Sequence, residues 1–269
     1  MSTDFRNHSS IFVEAINVEL ERAMNSFLKK LVEQRGYHFI GKNALKKMEG
    51  TPKKLLIYDG NNNAYDIGAV IADISLQPII LIESEYTQDY NRNKGSWVCT
   101  AHSALRRRYG SIRSSIAVLA GNWSSSSVAM MKSYDINIFL IPFKRICDLL
   151  AGYSIEFDWD EKDRVTAIES WNKYAALSNE QKSNIGLEMV NFIKSDLEQL
   201  VLRILDDTVE REIDKILIEL RSNLGEVKEY EFFSVEEAIE FLNATELKQA
   251  FITTDSLTLF DPPPYFNDI

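Results

Sequence analysis

Apolar residues recur at helical spacing from Phe12 through Ile16, Leu20, Met24, Phe27, Leu28 and Leu31. This pattern predicts a helix over about Ser10–Glu33, with Gly36 as its stop. The pattern then shortens. Lys54–Tyr58 (KLLIY) reads as a strand and Asp59-Gly60-Asn61-Asn62-Asn63 as a turn. Ile67–Ala72 and Ile79–Ile82 are two apolar runs joined by a short polar break, which predicts a β-hairpin. Ser96–Tyr109 suits a helix, Ile112–Ala120 a buried strand ended by Gly121, and Ser127–Tyr134 a further helix. Ile136–Ile141 reads as a strand, and Pro142 opens a helix to about Leu150, since proline is tolerated in a first turn. Strands alternating with helices predict an α/β fold, a mixed β-sheet core flanked by helices.

The character changes near Ser154, where IEFDWDEKD is acidic and aromatic. A long helical segment is predicted from about Asn179 to Ser222. Val190, Ile193, Leu197, Leu200 and Ile204 keep a seven-residue rhythm, which Val209, Ile213, Ile216 and Leu220 resume after a skip. The segment either packs on its own domain or forms a dimerisation helix or helical hairpin. Ser234 with Glu237 is a capping-box pattern opening a helix over Val235–Leu242, and the DPPPYFNDI tail reads as irregular. The expected division is a core at 1–152 and a mainly α-helical C-terminal region at 153–269, serving dimerisation or recognition of DNA or a partner.

Composition narrows the class. At 269 residues, 45% apolar and 26% charged, the chain suits one large globular domain, or a domain with an appendage. No apolar run is long enough to cross a membrane, and MSTDFRNHSS lacks a signal-peptide pattern. Cys99 and Cys147 make neither a disulfide framework nor a zinc site, so a cytoplasmic setting is expected. The net charge of −10 argues against nucleic acid, but its distribution does not. Between Arg92 and Arg145 lie Arg92, Lys94, Arg106, Arg107, Arg108, Arg113, Lys132, Lys144 and Arg145, opposed by Asp135 alone. A second basic cluster, Lys42, Lys46, Lys47, Lys53 and Lys54, precedes the hairpin.

The chemistry centres on that hairpin, in the stretch YDIGAVIADISLQPIILIESEY. Asp66 opens its first run and Glu83-Ser84-Glu85 closes its second, so folding it back brings Asp66 opposite Glu83 and Glu85. Clustered carboxylates raise one another's proton affinity, and a hard divalent cation relieves the conflict. Asp59 and Asp73 read as turn residues, Cys99 and Trp123 as core, and His102 as a polar-face histidine. The Gly95-Ser96 helix start is suited to phosphate. Glycine-rich phosphate loops, HExxH, CxxC and GxSxG patterns do not occur.

An aspartate, a spacer and then Glu-x-Lys at the end of the next strand is the signature of the PD-(D/E)XK nuclease superfamily. Residues of about Ser10–Leu150 resemble its core in the order of their elements. Asp66 matches the aspartate, Glu83 the acidic residue and Glu85 the position usually held by lysine; the resemblance is to type II restriction endonucleases with glutamate there. It implies that Asp66, Glu83 and Glu85 are catalytic. Magnesium, with manganese as a substitute, would be held by Asp66, Glu83 and the Ser84 carbonyl, with Glu14 as a candidate outer contact. Glu85 would serve as base or further ligand, and Lys94 as a displaced substitute for the missing lysine.

On this resemblance the chain is expected to be a magnesium-dependent DNA endonuclease of a restriction-like defence system. It would act on double-stranded DNA as a homodimer, with a cognate DNA methyltransferase encoded nearby. Arg92, Lys94, Arg106, Arg107, Arg108 and Arg113 are the expected nucleic-acid contacts. The alternatives are a catalytically degenerate nucleic-acid-binding or interaction subunit on the same fold, and a helical partner-binding protein in which the acidic hairpin is incidental.

Overall fold

A computed structural model describes residues 8–42, 55–87, 92–159, 163–244 and 247–251. The chain divides into two compact units, Met1–Asp206 and Asp207–Ile269. The first is an α/β unit. Helix α1 (His8–Glu33) leads into strands β1 (His38–Gly41), β2 (Leu55–Tyr58), β3 (Ala64–Ile67), β4 (Ala69–Ala72) and β5 (Pro78–Thr87). Then come α2 (Arg92–Arg108), β6 (Ser114–Gly121), α3 (Ser125–Ser133), β7 (Ile136–Pro142) and α4 (Phe143–Ala151). Three further helices follow, α5 (Arg164–Ala176), α6 (Asn179–Asn191) and α7 (Lys194–Ile204).

The main sheet has five strands in the order β1-β4-β5-β6-β7. β1, β4 and β5 pair antiparallel, whereas β5, β6 and β7 are parallel. All eight positions of β6 are buried, as expected of a parallel strand covered on both faces. On one face, Phe12, Ile16, Leu20 and Leu28 of α1 join Ile80, Ile82, Ile116 and Val118 in the largest core. On the other, Leu81 packs with Ala101 and Leu105 of α2, and Ala117 and Leu119 pack with Val98 and Met131.

The predicted hairpin is present, with Ala69 opposite Ile82 and Ile71 opposite Ile80. Its first run, however, is two strands. The chain bends at Gly68, and β3 leaves the main sheet to pair with β2 in a separate two-stranded sheet. Strand β1 and helix α5 have no counterpart in the sequence reading. β1 is a four-residue edge strand, too short to show a period, and the acidic stretch before α5 conceals its start at the N-cap Asp163.

The boundary expected at 152/153 falls instead at Asp206–Asp207. Helices α5–α7 belong with the sheet, and α6 crosses α1 so closely that a Cβ on Gly186 would lie 2.3 Å from the Glu19 carbonyl oxygen. The single helix predicted for 179–222 is also corrected. α6 ends at Asn191, α7 ends at Ile204, and Ile216–Arg221 is a strand, β8. Ile216, Ile218 and Leu220 alternate with more exposed neighbours, a period of two that the helical spacing of Val209, Ile213, Ile216 and Leu220 masks.

The second unit pairs β8 antiparallel with β9 (Val227–Phe232) and covers them with α8 (Val235–Ala244). Phe241 of α8 lies 4.5 Å from the Tyr230 ring and 5.1 Å from that of Phe232. The Glu237 amide donates to Ser234 Oγ at 3.2 Å, which caps the helix start read from the sequence. Among the described residues, no helix is long and apolar enough to cross a membrane.

Candidate active site

Alternation along β5 decides which side the acids take. Ile80 and Ile82 enter the core beneath α1, so Leu81, Glu83 and Glu85 face the side of α2. Glu83 lies one step beyond the Ala69–Ile82 pair, where β4 has given way to the Gly68 bend. The Gly68 amide donates to Glu83 Oε1 at 2.9 Å. A Cβ at position 68 would sit 2.8 Å from the Ile82 carbonyl oxygen and 3.0 Å from Glu83 Oε2, so the bend fits only glycine.

Glu83 is 2% exposed. Burial pushes its carboxyl up from the ordinary range to about 8; the Gly68 amide and the Lys42 charge pull it down, while the Glu85 and Asp66 charges push it further up. The Glu85 and Asp66 charges therefore act on Glu83, but Asp66 does not lie opposite Glu83 and Glu85 across the hairpin as the sequence suggested. Asp66 stands on β3 opposite Leu56, and the Leu55 amide donates to its Oδ1 at 3.2 Å. Glu85 receives the Lys94 ammonium at 2.7 Å, and the same Nζ donates to the Tyr86 carbonyl at 2.9 Å. Lys94 is in the first turn of α2, so the helix start delivers a lysine to the third carboxylate.

Ser84 lies in the β5–β6 ladder opposite Val118. Glu14 is exposed on α1, the helix on the other face of the sheet, and is not brought to Glu83. The basic stretch is likewise divided. Arg92 opens α2 at the acidic end, but Arg106, Arg107 and Arg108 occupy its last turn, roughly 21 Å or more further along the helix axis. Arg108 donates to the Asp59 carbonyl and stacks over Tyr109 at 5.3 Å; Arg113 donates to the Ile204 carbonyl at 2.9 Å. These two arginines brace the fold, and Arg107 is exposed. Lys46, Lys47, Lys53 and Lys54 lie outside the described residues.

Other sequence readings resolve locally. Asp59 accepts from the Asn61 and Asn63 amides, and Asp73 from those of Ser75 and Gln77, so both are turn residues. The Trp123 indole donates to the Ala120 carbonyl at 3.1 Å. His102, read as a polar-face residue, is 1% exposed instead, and burial and then Arg106 lower its pKa to about 3. The sequence reading missed Gly68, although a lone glycine inside an apolar run signals a bulge or close backbone approach.

No protein-family model and no curated protein matches the sequence. Among solved structures, the crystal structure of a protein of unknown function, AF1548, is similar at 10% identity with a TM-score of 0.32, over 65% of this chain and 99% of that one. A likeness at that level carries no functional information.

The donor set bears on a cation directly. Among the described residues, no group of three or more His, Cys, Asp or Glu side chains closes around a metal position. Magnesium needs no such cage: it binds through one or two carboxylates and keeps several waters. Asp66 and Glu83 are all-oxygen donors, and a cation beside Glu83 would offset the cost of burying its charge near two other acids. The residues present fit a hard, hydrated divalent ion.

Proposed function

We propose that the chain is a magnesium-dependent phosphodiester hydrolase of the PD-(D/E)XK type, acting on DNA. The observation that carries this reading is buried Glu83, held by the Gly68 amide and acted on by the Asp66 and Glu85 charges, with Lys94 bonded to Glu85. Asp66 and Glu83 would hold the ion, with manganese as a substitute. When bound, it supplies positive charge for the developing phosphorane and lowers the pKa of a coordinated water. Glu85, held by Lys94, would accept a proton from the attacking water. The Lys94 ammonium, bonded to Glu85, would substitute for the strand lysine usual in the family, its charge offsetting negative charge gathering at the phosphate.

Cutting both strands of a duplex symmetrically needs two such sites, which favours a homodimer. A restriction-like role would pair the protein with a DNA methyltransferase. The test is nicking of supercoiled plasmid with magnesium, compared with Asp66→Ala, Glu83→Ala and wild type in chelator. All three comparisons are expected to lack nicking.

One observation favours a second reading. The 2.7 Å Lys94–Glu85 pair neutralises the third carboxylate and occupies one of its oxygens, which suits a protein that binds nucleic acid without cutting it. Wild type that binds DNA equally with and without magnesium, and leaves plasmid intact, would establish this reading over the first.

A further inference from the structure

Several aromatic residues near the carboxylates already serve the fold. Tyr65 donates to Asp59 Oδ2, Tyr86 is buried in the main core, and the Trp123 indole is satisfied by Ala120. Tyr58 and Trp97 differ. They are 42% and 39% exposed, and neither belongs to a hydrophobic cluster or an aromatic pair among the described residues. Each lies one step from a group of the site. In the β2–β3 register Leu56 faces Asp66 and Tyr58 faces Ala64, so Tyr58 is on the Asp66 face of that sheet. It is the diagonal neighbour of Asp66, at about 7–8 Å. Trp97 is one helical turn beyond Lys94, the i+3 position, where Cβ atoms lie about 5–6 Å apart.

An exposed ring beside a phosphate-handling group has a specific use. Every base has a π-face, so aromatic side chains along a strand hold successive bases regardless of sequence, provided the bases are not stacked on one another. We propose that Tyr58 and Trp97 are base-stacking platforms on the two elements bordering the carboxylates, and that the site takes a DNA strand with unstacked bases, single-stranded or locally opened, in preference to intact duplex. The inference rests on the hydrolase reading for the position of the scissile phosphate. It departs from the restriction-like reading at one point: the preferred substrate is a strand whose bases are free to turn outward, and intact duplex a poorer one. Lys94 would meet a phosphate of the strand beside Trp97.

The test is fluorescence anisotropy of the full chain, in chelator, with fluorescein-labelled oligothymidylate and with a duplex of the same length. Tyr58→Leu and Trp97→Leu keep apolar bulk but remove the π-face; Tyr58→Phe and Trp97→Phe keep it. Each leucine variant is expected to bind oligothymidylate roughly tenfold more weakly, with the phenylalanine variants and duplex binding changed less than about twofold. The proposal is overturned if wild type does not bind oligothymidylate, if leucine variants with native circular dichroism bind it like wild type, or if they lose single strand and duplex alike. Plasmid nicking by wild type and Asp66→Ala tests the hydrolase reading separately. Stacking losses in a protein that never cuts would sink hydrolysis alone, and intact binding in leucine variants of an active enzyme would sink stacking alone.

Discussion

The Lys94 ammonium lies 2.7 Å from Glu85 Oε2 and 2.9 Å from the Tyr86 carbonyl oxygen, so a helix supplies the cation that neutralises an acid of the neighbouring strand. The pair is partly exposed, and such pairs contribute little to folding. If Lys94 acts in the chemistry, activity and stability separate. Lys94→Met should lower plasmid nicking about a hundredfold while shifting urea-unfolding stability by less than about 1 kcal/mol. Lys94→Arg should recover part of the rate. Unchanged nicking in Lys94→Met would remove the residue from catalysis.

Gly68 positions Glu83 through its amide and leaves no room for a side chain. A Cβ there meets the Ile82 carbonyl oxygen at 2.8 Å, and backbone cannot swing aside as a flexible side chain can. Gly68→Ala should cost about 1–3 kcal/mol in urea unfolding. It should also abolish nicking, because the bend carries both the Glu83 contact and the step from β4 to β3. Wild-type stability and rate in this variant would show that the bend relaxes freely.

How far the sequence carried the picture depends on which signal each element gives. The hairpin, the parallel strands β6 and β7 and the helices between them were legible because apolar runs bounded by turn residues are local signals. Glu83 and Glu85 could be placed on β5 for the same reason, but Asp66 could not: it lies beyond the Gly68 bend on β3, opposite Leu56 rather than Glu83 or Glu85. The Gly68 bend was not legible: Ile67–Ala72 is one apolar run in sequence, and only pairing with two different partners splits it. The fate of the arginines was hidden because Arg108 and Arg113 bond to backbone carbonyls far along the chain, at Asp59 and Ile204. The strand at Ile216–Arg221 was misread because its residues fit helical spacing and alternation equally well.

The same distance effect explains the displaced domain boundary and gives a test of it. Gly186 on α6 packs against the backbone of α1, where a Cβ would come within 2.3 Å of the Glu19 carbonyl oxygen. Gly186→Ala should destabilise the unit by about 1–3 kcal/mol. If α6 shares one cooperative unit with the sheet, hydrogen-exchange protection should fall in β6 (Ser114–Gly121) as well as in α6. Loss confined to α5–α7, with β6 unchanged, would restore a boundary near residue 152.

Glu83 and His102 give the fold opposite pH limbs. Burial raises the Glu83 carboxyl from 4.5 to about 8. The folded chain therefore keeps a proton there that the unfolded chain releases, and stability falls as pH rises through that window. Burial, followed by the Arg106 charge, lowers His102 from 6.5 to about 3. The unfolded chain takes a proton that the folded chain refuses, so stability falls as pH drops below 6.5 towards 3. Between 4.5 and 6.5 the two contributions oppose each other; outside that interval each acts alone, at up to about 1.4 kcal/mol per pH unit. Glu83→Gln keeps an acceptor for the Gly68 amide and removes the buried charge. In metal-free urea unfolding it should flatten the alkaline limb and be more stable than wild type at pH 8.5, although it abolishes nicking. His102→Leu should flatten the acid limb alone. Magnesium should raise the wild-type melting temperature more at pH 8 than at pH 6, because charged Glu83 is the form that binds it. Parallel wild-type and Glu83→Gln profiles above pH 6.5 would show that Glu83 is not the group that titrates.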